Sequence, residues 1–283
     1  MKVLITGASG QLGKCLQKHS KQLSEIDFLF ESSQNLDITS EKDLEIYFEK
    51  HQPDFCINCA AYTNVEGAES EEELAFKVNY EAVKLIAKHC NVYHTKLIHI
   101  STDYVFDGNK FSPYRESDSE NPVNIYGASK LQGEMAISES MDNYFILRTS
   151  WLYSEFGHNF FNTILKKAED QQDLNITTEQ IGTPTNANDL AKFILNLIQF
   201  NSDAYGLYHY SNQGEATWYD FARLILEERK LDNKVKLEAT FSYPTKAMRP
   251  KFSVLDKSKV MTAFGVDIPH WRQSLVSLLK EIQ

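Results

Sequence analysis

The stretch "KVLITGASGQLGK" (residues 2–14) decides the fold, because a short apolar strand runs straight into a glycine-rich turn and a helix. Gly7, Gly10 and Gly13 form a G-x-x-G-x-x-G pattern. Glycine at these positions permits a tight turn, close backbone approach to a pyrophosphate, and close packing of helix on strand. The free N–H groups that open the helix then face the anion. This context of strand, turn and helix predicts a dinucleotide-binding unit.

An acidic residue that holds the adenosine ribose is expected at the end of the second strand, about 20 residues further on. Glu31 in "DFLFES" is the candidate, and an acid there would favour NAD over NADP by repelling a 2′-phosphate. The alternative is a solvated strand end. Asp37 and Ile38 follow a polar loop and are candidates for the adenine pocket, although Asp37 could equally just begin a helix.

Composition and charge exclude several classes of protein. The chain has 283 residues, 42% of them hydrophobic, and a formal net charge of −10. It contains no basic run of five or more residues, which argues against a nucleic-acid partner. No apolar run reaches the length of a bilayer span, so we expect no membrane insertion. The N-terminal apolar run breaks after five residues, which suits a first strand better than a signal peptide, and a cytoplasmic location is expected.

The four cysteines predict neither a metal site nor a disulfide framework. Cys56 and Cys59 form a C-x-x-C pair inside "DFCINCAAY", which reads as a buried strand and its exit. Zinc would need a second pair of ligands, and the sequence offers none with suitable spacing. We therefore expect reduced, structural cysteines.

Short apolar runs alternate with helix-like segments through the first 150 residues, which indicates parallel strands joined by right-handed crossovers. The predicted fold class is α/β, a Rossmann-type doubly wound parallel sheet with a smaller, discontinuous C-terminal α/β substrate lobe. Residues 1–150 form the dinucleotide-binding domain, with 178–204 packing back onto it, and 151–177 and 205–283 form the lobe. The predicted helices are Gln11–Leu23, Asp37–Lys50, Glu71–Cys90, Tyr126–Ser140, Asn159–Glu169, Asp189–Gln199 and Trp218–Lys230.

Tyr126 and Lys130 in "NIYGASK" are four residues apart and share one helical face. A free phenol has a pKa of about 10 and is a poor acid–base catalyst at neutral pH. A nearby ammonium, together with a positively charged nicotinamide, would lower that pKa. The alternative is an ordinary amphipathic helix, since Y-x-x-x-K alone is a common pattern.

The preceding strand favours the catalytic interpretation. "HISTDYVFDG" ends that strand with Thr102 and Asp103, and ligands bind at the carboxyl ends of parallel strands. The Thr102 hydroxyl could share a substrate carbonyl with Tyr126. Asn79, in the middle of a predicted helix, is either part of a polar face or part of a water relay.

These motifs together resemble the extended short-chain dehydrogenase/reductase family. The blocks "STDYVFDG", "ILRTSWLY", "QIGTPT" and "RPKFSVLD" are similar to those of its dTDP-sugar reductases, and the likeness covers nearly the whole chain. The resemblance implies transfer of a hydride from NADPH or NADH to C4 of dTDP-4-dehydro-L-rhamnose. Tyr126 would protonate the alkoxide, Lys130 would lower the pKa of Tyr126 and hold the nicotinamide ribose, and Thr102 would polarise the carbonyl.

The remaining site residues follow from the same resemblance. Cofactor contacts are implied for Gly10, Gln11 and Leu12 at the pyrophosphate, Asp37 and Ile38 at the adenine, and Ala61, Tyr62 and Thr63 at the nicotinamide. Substrate contacts are implied for Asp103 and Trp151 at the sugar, Arg249 at the diphosphate, and Asn159. Trp151 could instead be core at the lobe boundary, and Arg249 a solvated arginine.

Some family members form a dimer bridged by Mg²⁺, with one acidic ligand on the first helix. Cys15 occupies the matching place here, which argues against a metal bridge, although a homodimer is still compatible with the resemblance. Two other functions stay open. Dehydratases and epimerases of the family are one, but dehydratases typically show Thr-Asp-Glu where this chain has Tyr104. A non-catalytic regulatory subunit of methionine adenosyltransferase, which shares the fold, is the other.

Overall fold

A computed structural model describes residues 1–242 and 244–282. The described part of the first half contains these elements in chain order: β1 (Lys2–Thr6), α1 (Gln11–Ser20), β2 (Asp27–Glu31), α2 (Glu41–His51), β3 (Phe55–Asn58), α3 (Val65–Ala68), α4 (Glu72–Phe76), α5 (Ala82–Val92), β4 (Lys96–Thr102), α6 (Ile125–Ser140) and β5 (Tyr144–Thr149). A π-helical turn, Lys77–Glu81, joins α4 to α5, and a 3₁₀ turn, Asp103–Val105, follows β4.

The second half, as described, has shorter strands and more irregular chain. Its elements are β6 (Leu152–Tyr153), α7 (Phe160–Glu169), β7 (Leu174–Thr177), β8 (Ile181–Gly182), β9 (Thr185–Asn186), α8 (Ala187–Gln199), β10 (Gly206–His209), β11 (Ala216–Thr217), α9 (Trp218–Glu228), β12 (Leu237–Thr240), α10 (Ser258–Phe264) and α11 (Trp271–Glu281).

Six parallel strands form the main sheet, in the order β10–β5–β4–β3–β1–β2. Side chains alternate between its two faces, as strand geometry requires. One face packs on α1 and α8, and the other packs on α2, α5 and α6. The chain moves from β1 outward to β2 and then returns to the other side of β1 as β3. That reversal opens a crevice beyond the carboxyl ends of β1 and β3, where ligands bind in such sheets. The predicted fold class is confirmed.

Several predicted helix bounds differ from the structure. The helix expected over Glu71–Cys90 is interrupted by the π-helical turn, which turns the side chain of Asn79 into the protein. The first helix ends at Ser20 rather than Leu23. The helix expected from Asp37 begins at Glu41, because the Ser40 hydroxyl accepts from the Asp43 N–H as an N-cap.

The prediction that the whole of residues 205–283 belongs to the lobe is wrong, because residues 206–209 lie in the main sheet. Strand β10 pairs with β5 in the main sheet, with Leu207 opposite Ile146, and α10 packs beside it. The lobe has its own apolar core, built from α7, α9 and α11 around Phe161, Phe221 and Trp271. The chain therefore returns to the main sheet between two visits to the lobe.

Candidate active site

The glycine turn has the geometry that a dinucleotide phosphate requires. Gly7 has φ of +64°, a conformation that L side chains rarely adopt. A Cβ at Gly7 would lie 2.6 Å from the backbone nitrogen of Ala60. Gly10 precedes α1 with its N–H bonded to the Gly7 carbonyl, and no side chain caps the first turn of this helix. The first N–H groups of α1, those of Gln11, Leu12 and Gly13, thus open onto the crevice.

The predicted ribose acid lies where expected, but its carboxylate already has a partner. Glu31 ends β2, and its Oε1 accepts from the Tyr47 hydroxyl at 2.8 Å. The predicted adenine contacts separate into two environments. Asp37 is exposed and accepts from the backbone and hydroxyl of Thr39, which lower the pKa of its carboxyl. Ile38 is buried in the core between sheet and α2, so only its backbone can line a pocket.

Asn79 organises the segment predicted to contact the nicotinamide. Its Oδ1 accepts from Tyr62 N at 2.9 Å, and its Nδ2 donates to the Tyr62 carbonyl at 3.0 Å. Nδ2 also donates to Ser129 Oγ on α6. Ala61 and Thr63 flank the residue that is fixed in this way. The π-helical turn therefore links the loop after β3 directly to the helix that carries Tyr126.

Tyr126 and Thr102 face each other at the carboxyl end of β4. Tyr126 is half-buried, and its ring meets that of Tyr104 edge to face with centroids 5.8 Å apart. Burial raises the pKa of Tyr126 to about 12, against an opposing effect of the Thr102 hydroxyl. Tyr126 is consequently protonated at neutral pH, which is the form that a proton donor must have.

Lys130 departs from its expected electrostatic role. Its Nζ donates to the Ile100 carbonyl at 2.7 Å and lies 3.2 Å from His99 Nε2. Burial lowers the pKa of Lys130 to about 8, with Glu134 acting in the opposite direction. In the protein alone, burial is the largest influence on the pKa of both side chains, so a lowering of the Tyr126 pKa by this ammonium stays a prediction for the cofactor-bound protein. A bound nicotinamide would add the positive charge on which that prediction also relied.

A buried chain of polar groups continues behind Lys130. Thr6 Oγ1 donates to Asn58 Oδ1 at 2.6 Å, and Asn58 Nδ2 lies 3.0 Å from His99 Nδ1. His99 is fully buried, and burial lowers its pKa well below the ordinary value. These groups lie at the ends of β1 and β3 and in the middle of β4, and they fix the position of Lys130. A histidine within the apolar run "KLIHIST" is the sequence signal that could have revealed it.

Trp151 holds an unusual backbone conformation at the entrance to the lobe. Its φ of +46° lies in the left-handed region, which costs a non-glycine residue on the order of 1 kcal/mol. Its indole stacks on that of Trp218, and a Cβ at Gly182 would lie 2.5 Å from the Trp151 ring. The indole remains partly exposed, so it combines a packed face with accessible surface. Trp218 was not predicted as a site residue.

The three remaining predicted substrate residues are all engaged by the protein. Asp103 is 2% exposed and accepts from the Thr102 hydroxyl. Arg249 Nη2 donates to Glu66 Oε1 at 2.9 Å, and the other oxygen of Glu66 accepts from Lys246 N. A diphosphate would share or replace the Glu66 contact. Asn159 caps α7 through Oδ1, and its Nδ2 faces Gln11 Oε1 at 2.6 Å. Asn159 thus connects the lobe to the phosphate turn rather than presenting a free amide to substrate.

The described residues contain neither a cluster of metal ligands nor a membrane-spanning helix. Between residues 1–242 and 244–282, no group of three or more His, Cys, Asp or Glu side chains is placed to hold a metal ion. Within the same ranges, no helix has the length and apolar character needed to cross a membrane.

Fold and site together define the class. A parallel Rossmann-type sheet with a glycine turn after β1, a Thr at the end of β4 and a Tyr-x-x-x-Lys helix is an extended short-chain dehydrogenase/reductase. The chain belongs to the family described as "RmlD substrate binding domain", which matches residues 1–283. The predicted family resemblance is confirmed.

Named relatives are similar over their full length. The chain is 37% identical to dTDP-4-dehydrorhamnose reductase of Escherichia coli (strain K12), covering 100% of this chain and 98% of the relative. It is 38% identical to the spore coat polysaccharide biosynthesis protein SpsK of Bacillus subtilis (strain 168), covering 99% and 97%. A crystal structure of dTDP-4-dehydrorhamnose reductase from Bacillus anthracis in complex with NADP has a TM-score of 0.94, 35% identity, and 99% coverage of both chains.

Proposed function

We propose that this protein reduces the C4 keto group of dTDP-4-dehydro-L-rhamnose to dTDP-L-rhamnose with NADPH or NADH. The observation that carries the proposal is the convergence of Thr102, Tyr126 and Lys130 beside the glycine turn. A protonated phenol, a hydroxyl and a buried amine there suit the delivery of a proton to a carbonyl oxygen. The curated relatives named for this reaction align over the whole chain and support the substrate assignment.

The residues present fit a nicotinamide dinucleotide. A Cβ at Gly7 would fill the close approach between the turn and Ala60, and the open start of α1 faces the same space. Glu31 and Lys130 would hold the two riboses, and the Asn79-braced segment Ala61–Thr63 would border the nicotinamide. When bound, the cofactor supplies the hydride. The Tyr47 hydroxyl on Glu31 keeps that carboxylate oriented, and Glu31 would oppose a 2′-phosphate, although a relative with NADP bound shows that family members accept one.

On the substrate side, Tyr126 gives its proton to the oxygen at C4 and Thr102 orients the carbonyl. Trp151, braced by Trp218, offers an indole surface to the sugar. Arg249 binds the diphosphate, since a guanidinium fork matches phosphate oxygens. Asp103 is buried beside Thr102 and acts on the sugar through that residue, and Asn159 acts indirectly through Gln11.

The decisive experiment mixes purified protein with NADPH or NADH and follows absorbance after addition of the 4-keto sugar nucleotide. We expect stoichiometric oxidation of the cofactor and formation of dTDP-L-rhamnose, identified by NMR. An epimerase would convert the sugar without consuming NADPH. A regulatory subunit would bind cofactor without turnover, and either result would overturn the proposal.

The oligomeric state and the cellular location stay predictions. A homodimer without a bridging metal is expected, and light scattering with and without a chelator measures it. A cytoplasmic location is expected as well, and fractionation of the producing cells measures it.

A further inference from the structure

The hydroxyl proton of Thr102 already has an acceptor within the protein, the carboxylate of Asp103. A hydroxyl has one proton and two acceptor lone pairs. Thr102 Oγ1 accepts from Tyr104 N at 3.1 Å and donates to Asp103 Oδ1 at 3.2 Å. While Asp103 is ionised, that proton points at the carboxylate and is withheld from a carbonyl in the cleft.

Asp103 is an unusual place for a charge. It is 2% exposed, and no hydrogen-bond partner reaches its Oδ2 within residues 1–242 and 244–282. A buried, unpaired carboxylate oxygen is costly, whereas a neutral carboxyl loses much less. The titratable groups that face it are the phenols of Tyr104 and of Tyr126 on α6. The neutral hydroxyls of Ser253 and Thr102 also face it and lower the pKa of Asp103, against the larger effect of burial. Arg249 faces the neighbouring Tyr104 and is paired with Glu66.

We propose that Asp103 works as a neutral acid, and that its protonation releases the Thr102 hydroxyl to polarise the substrate carbonyl. This inference rests on the proposed function. With the proton on Oδ1, Asp103 donates to Thr102 Oγ1. The two lone pairs of Thr102 are then occupied by the Asp103 O–H and the Tyr104 N–H, so its own O–H is free to turn into the cleft.

The same protonation assists Tyr126. An ionised Asp103 raises the pKa of Tyr126 and so opposes loss of the phenolic proton. The neutral acid removes this opposition while Tyr126 gives its proton to the oxygen at C4. Asp103 keeps its own proton throughout, so no additional acid or base is consumed. Burial raises the pKa of Asp103 to about 7, which leaves the neutral form well populated near neutral pH.

The test compares kcat of the full-length protein and of Asp103→Asn between pH 6.0 and 8.5, with NADPH and the 4-keto sugar nucleotide. The asparagine Nδ2 donates to Thr102 as the neutral acid does, at every pH. We expect wild-type kcat to fall about fourfold from pH 6.0 to 7.5, and that of Asp103→Asn to fall less than about twofold. Asp203→Asn makes the same chemical change at an exposed carboxyl and should follow the wild-type profile.

The outcomes separate the two proposals. A wild-type protein that turns over at no pH overturns the proposed function and this inference together. Turnover with equal slopes in wild type and Asp103→Asn overturns the inference alone, as does an Asp103→Asn protein that folds and is inactive throughout. If Asp103→Asn does not fold, the wild-type profile decides, because a kcat that is flat from pH 6.0 to 7.5 contradicts the role of Asp103.

Discussion

The indole rings of Trp151 and Trp218 lie face to face, with centroids 3.6 Å apart and planes 7° apart. Trp151 belongs to the segment that leaves β5, whereas Trp218 begins α9 and is fixed by a bond from its Nε1 to Gln180. The stack therefore determines which face of Trp151 stays accessible. It joins the sheet to the lobe through two side chains that are 67 positions apart in the chain.

Removing the Trp218 ring that stacks on Trp151 should weaken binding of the sugar nucleotide without changing the affinity for the cofactor. We expect Trp218→Ala to raise KM for the sugar nucleotide roughly two- to tenfold, because an aromatic pair contributes about 0.5–1.5 kcal/mol beyond buried area. Trp218→Phe should retain most of the affinity. Steady-state kinetics measures KM, and fluorescence titration should give an unchanged Kd for NADPH. Equal loss of affinity for both ligands would indicate a folding defect instead.

Tyr126→Phe should lower kcat at least about a hundredfold, because it removes the group proposed to give its proton to the oxygen at C4. Cofactor binding should change little, since the lost hydroxyl faces Thr102 rather than the glycine turn. Tyr93→Phe, at the end of α5, removes the same atom elsewhere and should be active. Unimpaired turnover by Tyr126→Phe would refute its assignment as proton donor.

Gly7→Ala should be more harmful than Gly265→Ala, although the two positions share a positive φ of +64° and +61°. A Cβ at Gly7 meets the backbone of Ala60, whereas none of the described atoms lies within 4 Å of a Cβ at Gly265. The strain of a left-handed alanine, about 1 kcal/mol, is common to both, so the difference isolates the clash. Urea denaturation and NADPH titration measure it. Equal destabilisation with intact cofactor binding would show that the turn tolerates the methyl group.

Arg249→Gln should raise KM for the sugar nucleotide about tenfold to a hundredfold, the value of one or two charge-assisted hydrogen bonds to phosphate. The Kd for NADPH should not change. Arg223→Gln removes a guanidinium that pairs with its own helix neighbours and serves as the matched control. A KM that is unchanged in Arg249→Gln would mean that Glu66 is the true partner of Arg249 during catalysis.

Stability should depend on pH through Asp103. The folded pKa of about 7 lies above the ordinary 3.8, so the folded protein binds a proton that the unfolded chain releases between these values. Stability from this group is complete below pH 4 and is lost as pH rises through 7, by up to about 4 kcal/mol. Asp103→Asn should lose less stability than wild type between pH 5 and 8 in urea denaturation. Parallel curves would place an ionised Asp103 in the native protein.

The sheet and the glycine turn could be predicted because they depend on local periodicity and on residues close in sequence. Lys2–Thr6 and Lys96–Thr102 are continuous apolar runs that end in polar groups at the expected edge. The role of Asn79 could not be predicted, since a π-helical turn adds one residue per turn without a distinctive composition. The pairing of Glu66 with Arg249 spans 183 positions and depends on how the loop after β12 returns to α3.

In the site, too, some features could be predicted from the sequence and others could not. Residue types at Thr102, Tyr126 and Lys130 were recognisable from their spacing, but their protonation was not. Burial, which periodicity indicates only coarsely, changes the pKa of Tyr126 and of Lys130 in opposite directions. The spacing of Tyr126 and Lys130 shows that they share a helix face. It does not show that Lys130 also contacts the Ile100 carbonyl and His99.

Strand β10 has a consequence for how this chain can be divided. Within the described residues, the edge of β5 that faces away from β4 is covered by β10 and the residue after it, which follow the first passage through the lobe. Any fragment that stops before residue 206 leaves a row of unpaired amide and carbonyl groups on a hydrophobic strand, the condition that promotes aggregation. Biosynthesis on the ribosome meets the same constraint, because the nucleotide-binding half becomes complete only after nearly three quarters of the polypeptide has emerged.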